Sequence, residues 1–220
     1  MANYDVEPSL LEEFVPKGTS LDFREGKCFV SLVAFMFLHT RVKGILIPFH
    51  VNFEEVNLRF YVKRETHEAT RRGVTFIKEI VPRRAIASVA KHLYGEPYEA
   101  WKMSHAKEKD ELIYAWWKRN NKSHHIKINI GESQGVPAEN SEGEFIIEHY
   151  WGYTKRSDSR TDEYKVEHPK WELFAVDDFE IHADFGELYG EKFRHLSSAK
   201  PHSIFMAKGS AVSVFKGAKL

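Results

Sequence analysis

The chain of 220 residues carries 32 lysines and arginines against 32 aspartates and glutamates, so its formal charge is zero. That balance argues against a dedicated nucleic-acid or anionic-membrane surface, each of which calls for a basic excess. A single cysteine, Cys28, excludes a disulfide framework within one chain, and 16 Phe, 9 Tyr and 5 Trp favour pleated surfaces and a large core.

The first residues, Met1-Ala2-Asn3-Tyr4-Asp5, lack a basic region followed by an apolar stretch, so no signal peptide is read there. The longest apolar run, 28–38, is too short for a membrane-spanning helix, which needs roughly 20 residues. Cys28 opens this run and reads as a small buried hydrophobe. The expected setting is reducing and cytoplasmic.

In chain order, residues 7–15 read as a short helix with Pro8 in its first turn and Pro16 as its stop. A short strand at 19–23 precedes a Glu25-Gly26 turn. The run 28–38, rich in Phe and Val, reads as a strand buried on both faces. It continues at 41–47, where Gly44 marks a bulge. The next strand, 54–63, alternates cleanly. Val56, Leu58, Phe60 and Val62 share one face; Glu55, Asn57, Arg59 and Tyr61 share the other.

A charged connection at 63–72 leads to a strand at 74–81. The clearest helix follows at 82–93, with Pro82 in its first turn, Ile86, Val89, Ala90 and Leu93 on one side, and Gly95 as its stop. Residues 111–118 and 125–130 read as paired strands, Ile126, Ile128 and Ile130 alternating with Lys127 and Asn129. The stretch 131–143 reads as a loop, 144–153 as a helix, 164–176 and 179–183 as extended chain, and 184–193 as a helix. Lys208-Gly209-Ser210 carries a hairpin signature between 204–207 and 211–215. No repeat and no long linker divides the chain, so the expectation is one domain spanning 1–220: mainly β, mostly antiparallel, with two or three helices and one crossover within 74–102.

Several spaced stretches together resemble one family. These are Glu55-Val56-Asn57-Leu58-Arg59-Phe60-Tyr61-Val62, Gly73-Val74-Thr75-Phe76, Pro97-Tyr98 with Met103, Glu148-His149-Tyr150, and Glu167-His168-Pro169-Lys170-Trp171. The chain resembles the YqjF-like group of uncharacterised proteins, similar in fold to acetoacetate decarboxylase. The resemblance implies a cone-shaped, mainly antiparallel β-barrel with flanking strands, a few helices and an internal cavity. Many members have a further strand before the segment matching Ala2-Asn3-Tyr4, so the resemblance also implies a barrel edge left unpaired here.

The enzyme sharing that fold forms a Schiff base through a lysine after a Gly-x-Pro turn, its pKa lowered by a neighbouring cation and a dry site. The corresponding turn here is Gly95-Glu96-Pro97-Tyr98-Glu99, with Tyr98 and Glu99 where two lysines would stand. Decarboxylation by that route is not expected. Lys102 lies roughly 13 Å further along extended chain. Lys78 interrupts an apolar strand; its bland reading is a stem on apolar surface with the amine in water.

The row Glu55, Asn57, Arg59, Tyr61 is the main ligand-binding candidate, with Tyr98 and Lys78 beside it. A guanidinium grips a carboxylate or phosphate through parallel bonds, and the tyrosine and asparagine fix orientation. The alternative is a solvated face or an internal salt-bridge network. No metal site and no cofactor are expected, since one cysteine and scattered histidines give no ligand motif. His149 and His168 read as structural histidines before acid–base groups. No serine elbow or phosphate loop occurs, and the basic doublets are scattered. The expected partner is a small carboxylate-type molecule, with no nucleic acid and no membrane; a homo-oligomer stays open. The function expected is binding of a small anionic organic molecule. Two alternatives stand beside it: an enzyme on keto acids without the usual lysine, and a structural or interaction protein with a filled cavity.

Overall fold

The structure is a computed structural model that describes residues 1–220 apart from 43–44, 47–50, 86, 89–94 and 119–121. Strands β1 (Ala2–Asp5), β2 (Ser20–Leu21), β3 (Phe29–Phe37), β4 (Arg41–Val42), β5 (Ile45–Leu46), β6 (Phe53–Glu65) and β7 (Thr70–Val81) make the first part. Strands β8 (Tyr98–Ala100), β9 (Lys102–Glu108), β10 (Glu111–Trp117) and β11 (Ser123–Gly135) follow. Helix α1 (Glu142–Ile147) precedes β12 (Trp151–Ser157), β13 (Arg160–Glu167) and β14 (Leu173–His182). Helix α2 (Phe185–Tyr189) leads to four short strands, β15 (Ser203–Ile204), β16 (Met206–Ala207), β17 (Ser213–Val214) and β18 (Ala218–Lys219).

The larger sheet runs β15-β1-β3-β6-β7-β12-β13-β17, with β2, β8 and β18 joined at its sides; the smaller runs β16-β14-β11-β10-β9. The fold is mainly β, as the alternation of apolar and polar residues leads one to expect. Among the described residues the larger sheet does not close on itself. Two of its pairings, β7 with β8 and β7 with β12, are parallel. The first of them is the crossover expected within 74–102. Strand β1 is bonded on both sides, to β3 and β15.

One core lies between the sheets. Val56, Leu58, Phe60 and Val62 of β6 pack there with Trp116, Ile126 and Ile128 of the smaller sheet and with Phe185, Leu188 and Phe193. A second core lies on the other side of β6, where Tyr61, Phe29 and Val74 meet Phe145, Ile146 and Ile147 of α1. Both faces of β6 are therefore covered.

Several local expectations are corrected. Residues 7–15 form two 3-10 turns, Pro8–Leu10 and Glu12–Phe14, in place of one helix. Strand β11 runs through Gly135, so 131–143 is extended for its first five residues. Its polar composition belongs to an exposed strand end with irregular register against β14. The helix expected at 144–153 is α1: Ser141 caps it, its hydroxyl accepting from the Glu144 N–H at 3.2 Å, and Trp151 already begins β12. The hairpin expected around Lys208-Gly209-Ser210 does not form: β16 pairs with β14 and β17 with β13. Residues 84–85 and 87–88 are helical, while Ile86, Val89, Ala90, Leu93 and Gly44 lie outside the described residues.

Candidate functional site

The polar row of β6 turns inward. Glu55 and Asn57 are each 2% exposed and Tyr61 is 1% exposed; Arg59 is half-buried. Four residues of that kind on a covered face are costly unless they find partners. Their neighbours come from four other elements.

The register of β6 and β7 shifts between Leu58 and Arg59: Leu58 faces Lys78, but Arg59 faces Phe76. Ile77 is the extra residue of a bulge, and beyond it the alternation of β7 is inverted. Glu79 consequently faces Asn57 on the polar side. Lys78 goes with Leu58 to the opposite side, where its amine pairs with Glu99 at 3.0 Å. The structure thus separates Lys78 from the row with which the sequence grouped it. Tyr98 faces Glu79 across the parallel β7–β8 pair. The residue is half-buried, and its hydroxyl donates to Glu55 Oε2 at 3.0 Å. Asn57 Nδ2 donates to Glu55 Oε1 at 2.9 Å.

A third carboxyl comes from the Gly95-Glu96-Pro97 turn. Glu96 Oε1 accepts from Thr154 Oγ1 at 2.5 Å and from the Tyr164 hydroxyl at 3.2 Å. Two glycines make this packing feasible. Gly152 stands opposite Tyr164, whose ring occupies the space a Cβ would need. Gly95 has φ +68° and lies under the guanidinium of Arg156, which is paired with Asp162 at 2.7 Å.

The result is three buried carboxyls, Glu55, Glu79 and Glu96, bridged by phenols and hydroxyls. Burial pushes Glu55 up to about 7; the bonds from Asn57 and Tyr98 and the charge of Arg59 hold it back. Burial likewise pushes Glu96 up to about 7, opposed by Thr154 and Tyr164. Burial, then the charges of Glu55 and Glu96, raise Glu79 well above the ordinary carboxyl range. Tyr98 and Tyr164 are raised as well, first by burial and then by the neighbouring carboxyls, so both remain hydroxyl donors. At neutral pH this cluster holds protons that exposed glutamates would have lost.

The parallel pairing of β7 with β12 lasts two residue pairs, Trp151 with Gly73 and Gly152 with Val74. Beyond it the strands part, leaving a cleft of about 240 Å³ lined by Phe14, Thr75, Ile77, Glu96, Thr154 and Lys155, among others. Glu96 therefore links the buried cluster to an opening in the sheet.

The opposite end of the row has another character. Arg59 Nη2 donates to the Ile146 carbonyl at the end of α1, at 3.1 Å, while its Nε has no partner. The rings of Tyr61 and His149 lie 4.8 Å apart. Both ring nitrogens of His149 are unpartnered, and burial followed by the charges of Arg59 and Arg72 lowers its pKa well below the usual range. His168 stacks between Tyr150 and Trp171 near the surface. Lys102 is an exposed residue of β9. The fold thus gathers Glu55, Asn57 and Tyr98 into one cluster, sets Arg59 and Tyr61 beside α1, and sends Lys78 elsewhere. Among the described residues no three His, Cys, Asp or Glu side chains are arranged to hold a metal ion.

Glu79, Glu96, Thr154 and Tyr164 were not singled out from the sequence. A signal existed for Glu79, since it breaks an otherwise apolar strand, but simple alternation points it outward and only the bulge turns it in. Glu96 sits in a turn that shows no period, and Tyr164 arrives from a distant strand.

The fold is acetoacetate-decarboxylase-like. Its structure is similar to one from a study of acetoacetate decarboxylase (TM-score 0.62, 10% identity, 98% of this chain and 85% of that one). It is also similar to acetoacetate decarboxylase from Legionella pneumophila (TM-score 0.55, 14% identity, 86% and 74%). A third similar structure is the enduracididine biosynthesis enzyme MppR complexed with pyruvate (TM-score 0.57, 11% identity, 86% and 76%). The chain belongs to the DUF2071 family of uncharacterized conserved proteins, which it matches over residues 1–211. It is 29% identical over 122 residues to the uncharacterized protein YqjF of Bacillus subtilis (strain 168), a match covering 55% of this chain and about half, 49%, of that relative.

Proposed function

We propose that the protein binds a small organic acid on the polar face of β6. Arg59 faces the ligand's carboxylate and the Glu55–Glu79–Glu96 cluster forms the proton-exchanging end. The observation that carries this reading is the inward turn of the whole polar row, which leaves Arg59 Nε and both nitrogens of His149 buried without partners. The Nε donor of Arg59 calls for an acceptor, and the neutral imidazole of His149 offers one donor and one acceptor. A fold neighbour, MppR, holds pyruvate, a small keto acid. The reading takes the chain as one domain in a reducing, cytoplasmic setting, for which the buried Cys28 thiol, pushed up to about 11 by burial, is suited because it stays protonated and unreactive.

The test is a thermal-shift and native mass-spectrometry screen with pyruvate and other small carboxylates on the wild type and Arg59→Ala. The expected outcome is a rise in melting temperature that the variant loses. No response to any carboxylate, or an equal response in the variant, overturns the reading in favour of a protein whose cavity is filled by its own side chains.

The carboxyl cluster favours a second reading, an enzyme on organic acids that needs no imine-forming lysine. Glu55 and Glu96, both near 7, are placed where a carboxyl gives and takes protons at neutral pH. Deuterium exchange into pyruvate, followed by NMR and lost in Glu55→Gln, would support it. Borohydride trapping of a keto acid on a lysine would return the chemistry to an imine.

A further inference from the structure

Glu79 and Asn57 face each other across β7 and β6, and each is 2% exposed. Each keeps one acceptor without a partner: Glu79 Oε2 and Asn57 Oδ1. Asn57 is not ionisable, and its orientation is fixed by the bond from Nδ2 to Glu55 at 2.9 Å, which leaves the carbonyl oxygen free. Buried acceptors in a native interior are almost always satisfied. The pair lacks a donor when Glu79 is ionised; a proton on Glu79, or the N–H of a ligand, supplies it.

The nearby cations do not supply it. Arg156 is engaged by Asp162 at 2.7 Å, and Lys78 pairs with Glu99 on the other side of the sheet at 3.0 Å. Arg59 gives its Nη2 to the Ile146 carbonyl at 3.1 Å. Three carboxyls therefore share an interior in which no described positive side chain bonds them directly.

We propose that this end of the polar face binds a small organic cation rich in N–H donors, a primary ammonium or a guanidinium group, seated between Glu79 and Asn57 and reached through the cleft at Glu96. The inference rests on the reading of this face as a small-molecule site and adds the charge class of the group it takes. An ammonium offers three donors and a guanidinium five, which matches a site made of acceptors. With a carboxylate at the Arg59 end, the whole ligand is amphoteric. The cleft of about 240 Å³ at Glu96, the route to this site, admits a molecule of few heavy atoms.

The site has a built-in pH dependence. Facing it are Glu55 and Arg59 from β6, Glu79 from β7, Glu96 from the turn and Tyr98 from β8. Arg156 from β12 and Asp162 and Tyr164 from β13 complete the set. The cation must displace protons from carboxyls whose pKa values burial raises, so its affinity falls as the pH is lowered.

The experiment is calorimetry and thermal shift on the full chain with n-propylammonium, propionate, β-alanine and tetramethylammonium. The expected result is binding of n-propylammonium that weakens about tenfold or more in Glu79→Gln, and little binding of tetramethylammonium, which has no N–H. The same weakening on acidifying the wild type needs no variant to fold. Propionate binding that depends on Arg59, without binding of n-propylammonium, overturns the cation while the small-molecule reading survives. Silence from propionate, n-propylammonium and β-alanine alike removes both. Equal binding of n-propylammonium by wild type and Glu79→Gln, or of tetramethylammonium and n-propylammonium, overturns the site as drawn. A lack of pH dependence does the same.

Discussion

The two faces of β6 are made from one run of alternating residues, and both are buried, yet they obey different rules. Val56, Leu58, Phe60 and Val62 are fully covered by apolar neighbours from both sheets. Burial itself stabilises them, because apolar surface leaves water. Glu55, Asn57 and Tyr61 are covered almost as fully, but burial works against them unless each polar atom finds a partner. Partners are found for many of these atoms and not for all. A strand that holds the sheets together on one side thus carries, one residue out of phase, the part of the molecule least explained by stability.

The comparison is broken first by Leu58→Ala, which leaves a cavity between the sheets and should cost about 2–5 kcal/mol in urea unfolding at any pH. Glu55→Gln probes the other face and should have the opposite sign. The folded-state pKa of Glu55 is raised from 4.5 to about 7, so the folded protein keeps a proton the unfolded chain has lost. Stability at this site is highest below about 4.5, declines as pH rises, and is lowest above about 7. Removing the charge should stabilise the protein by about 2–3 kcal/mol at about pH 8, and by little at about pH 4.5. Denaturation of both proteins at both pH values checks the sign and the size.

Smaller changes sharpen the contrast. Tyr98→Phe removes the hydroxyl that donates to Glu55 at 3.0 Å and should cost about 1 kcal/mol while pushing the Glu55 pKa further up, which carboxyl NMR titration would follow. Lys78→Gln breaks a partly exposed pair with Glu99 and should change stability by about 0.5 kcal/mol or less. A larger effect, or any effect on ligand binding, would show that Lys78 works with the polar face after all.

Much of this contrast is legible in the sequence. The alternation of 55–62 separates the two faces, the apolar run 28–38 marks a strand that is buried on both faces over its first five residues only, and the spaced motifs identify the fold. The interior position of the polar row does not follow from alternation, because a solvated face has the same pattern. Glu79 is hidden by a single extra residue at Ile77, which reverses the phase of β7. Glu96 and Tyr164 are hidden by distance: they reach the site from a turn and from β13, and only the folded sheet brings them to one place. Lys78 shows the converse error, since a period-two count carried past a bulge assigns the wrong side.

The central claim is that the polar face of β6 encloses carboxyls that hold protons at neutral pH. Infrared difference spectroscopy of the carboxyl C=O stretch, comparing wild type with Glu79→Gln at about pH 7, tests it most directly. The account expects a protonated-carboxyl band in the wild type that the substitution removes. A wild type with only ionised carboxylates at that pH would contradict it.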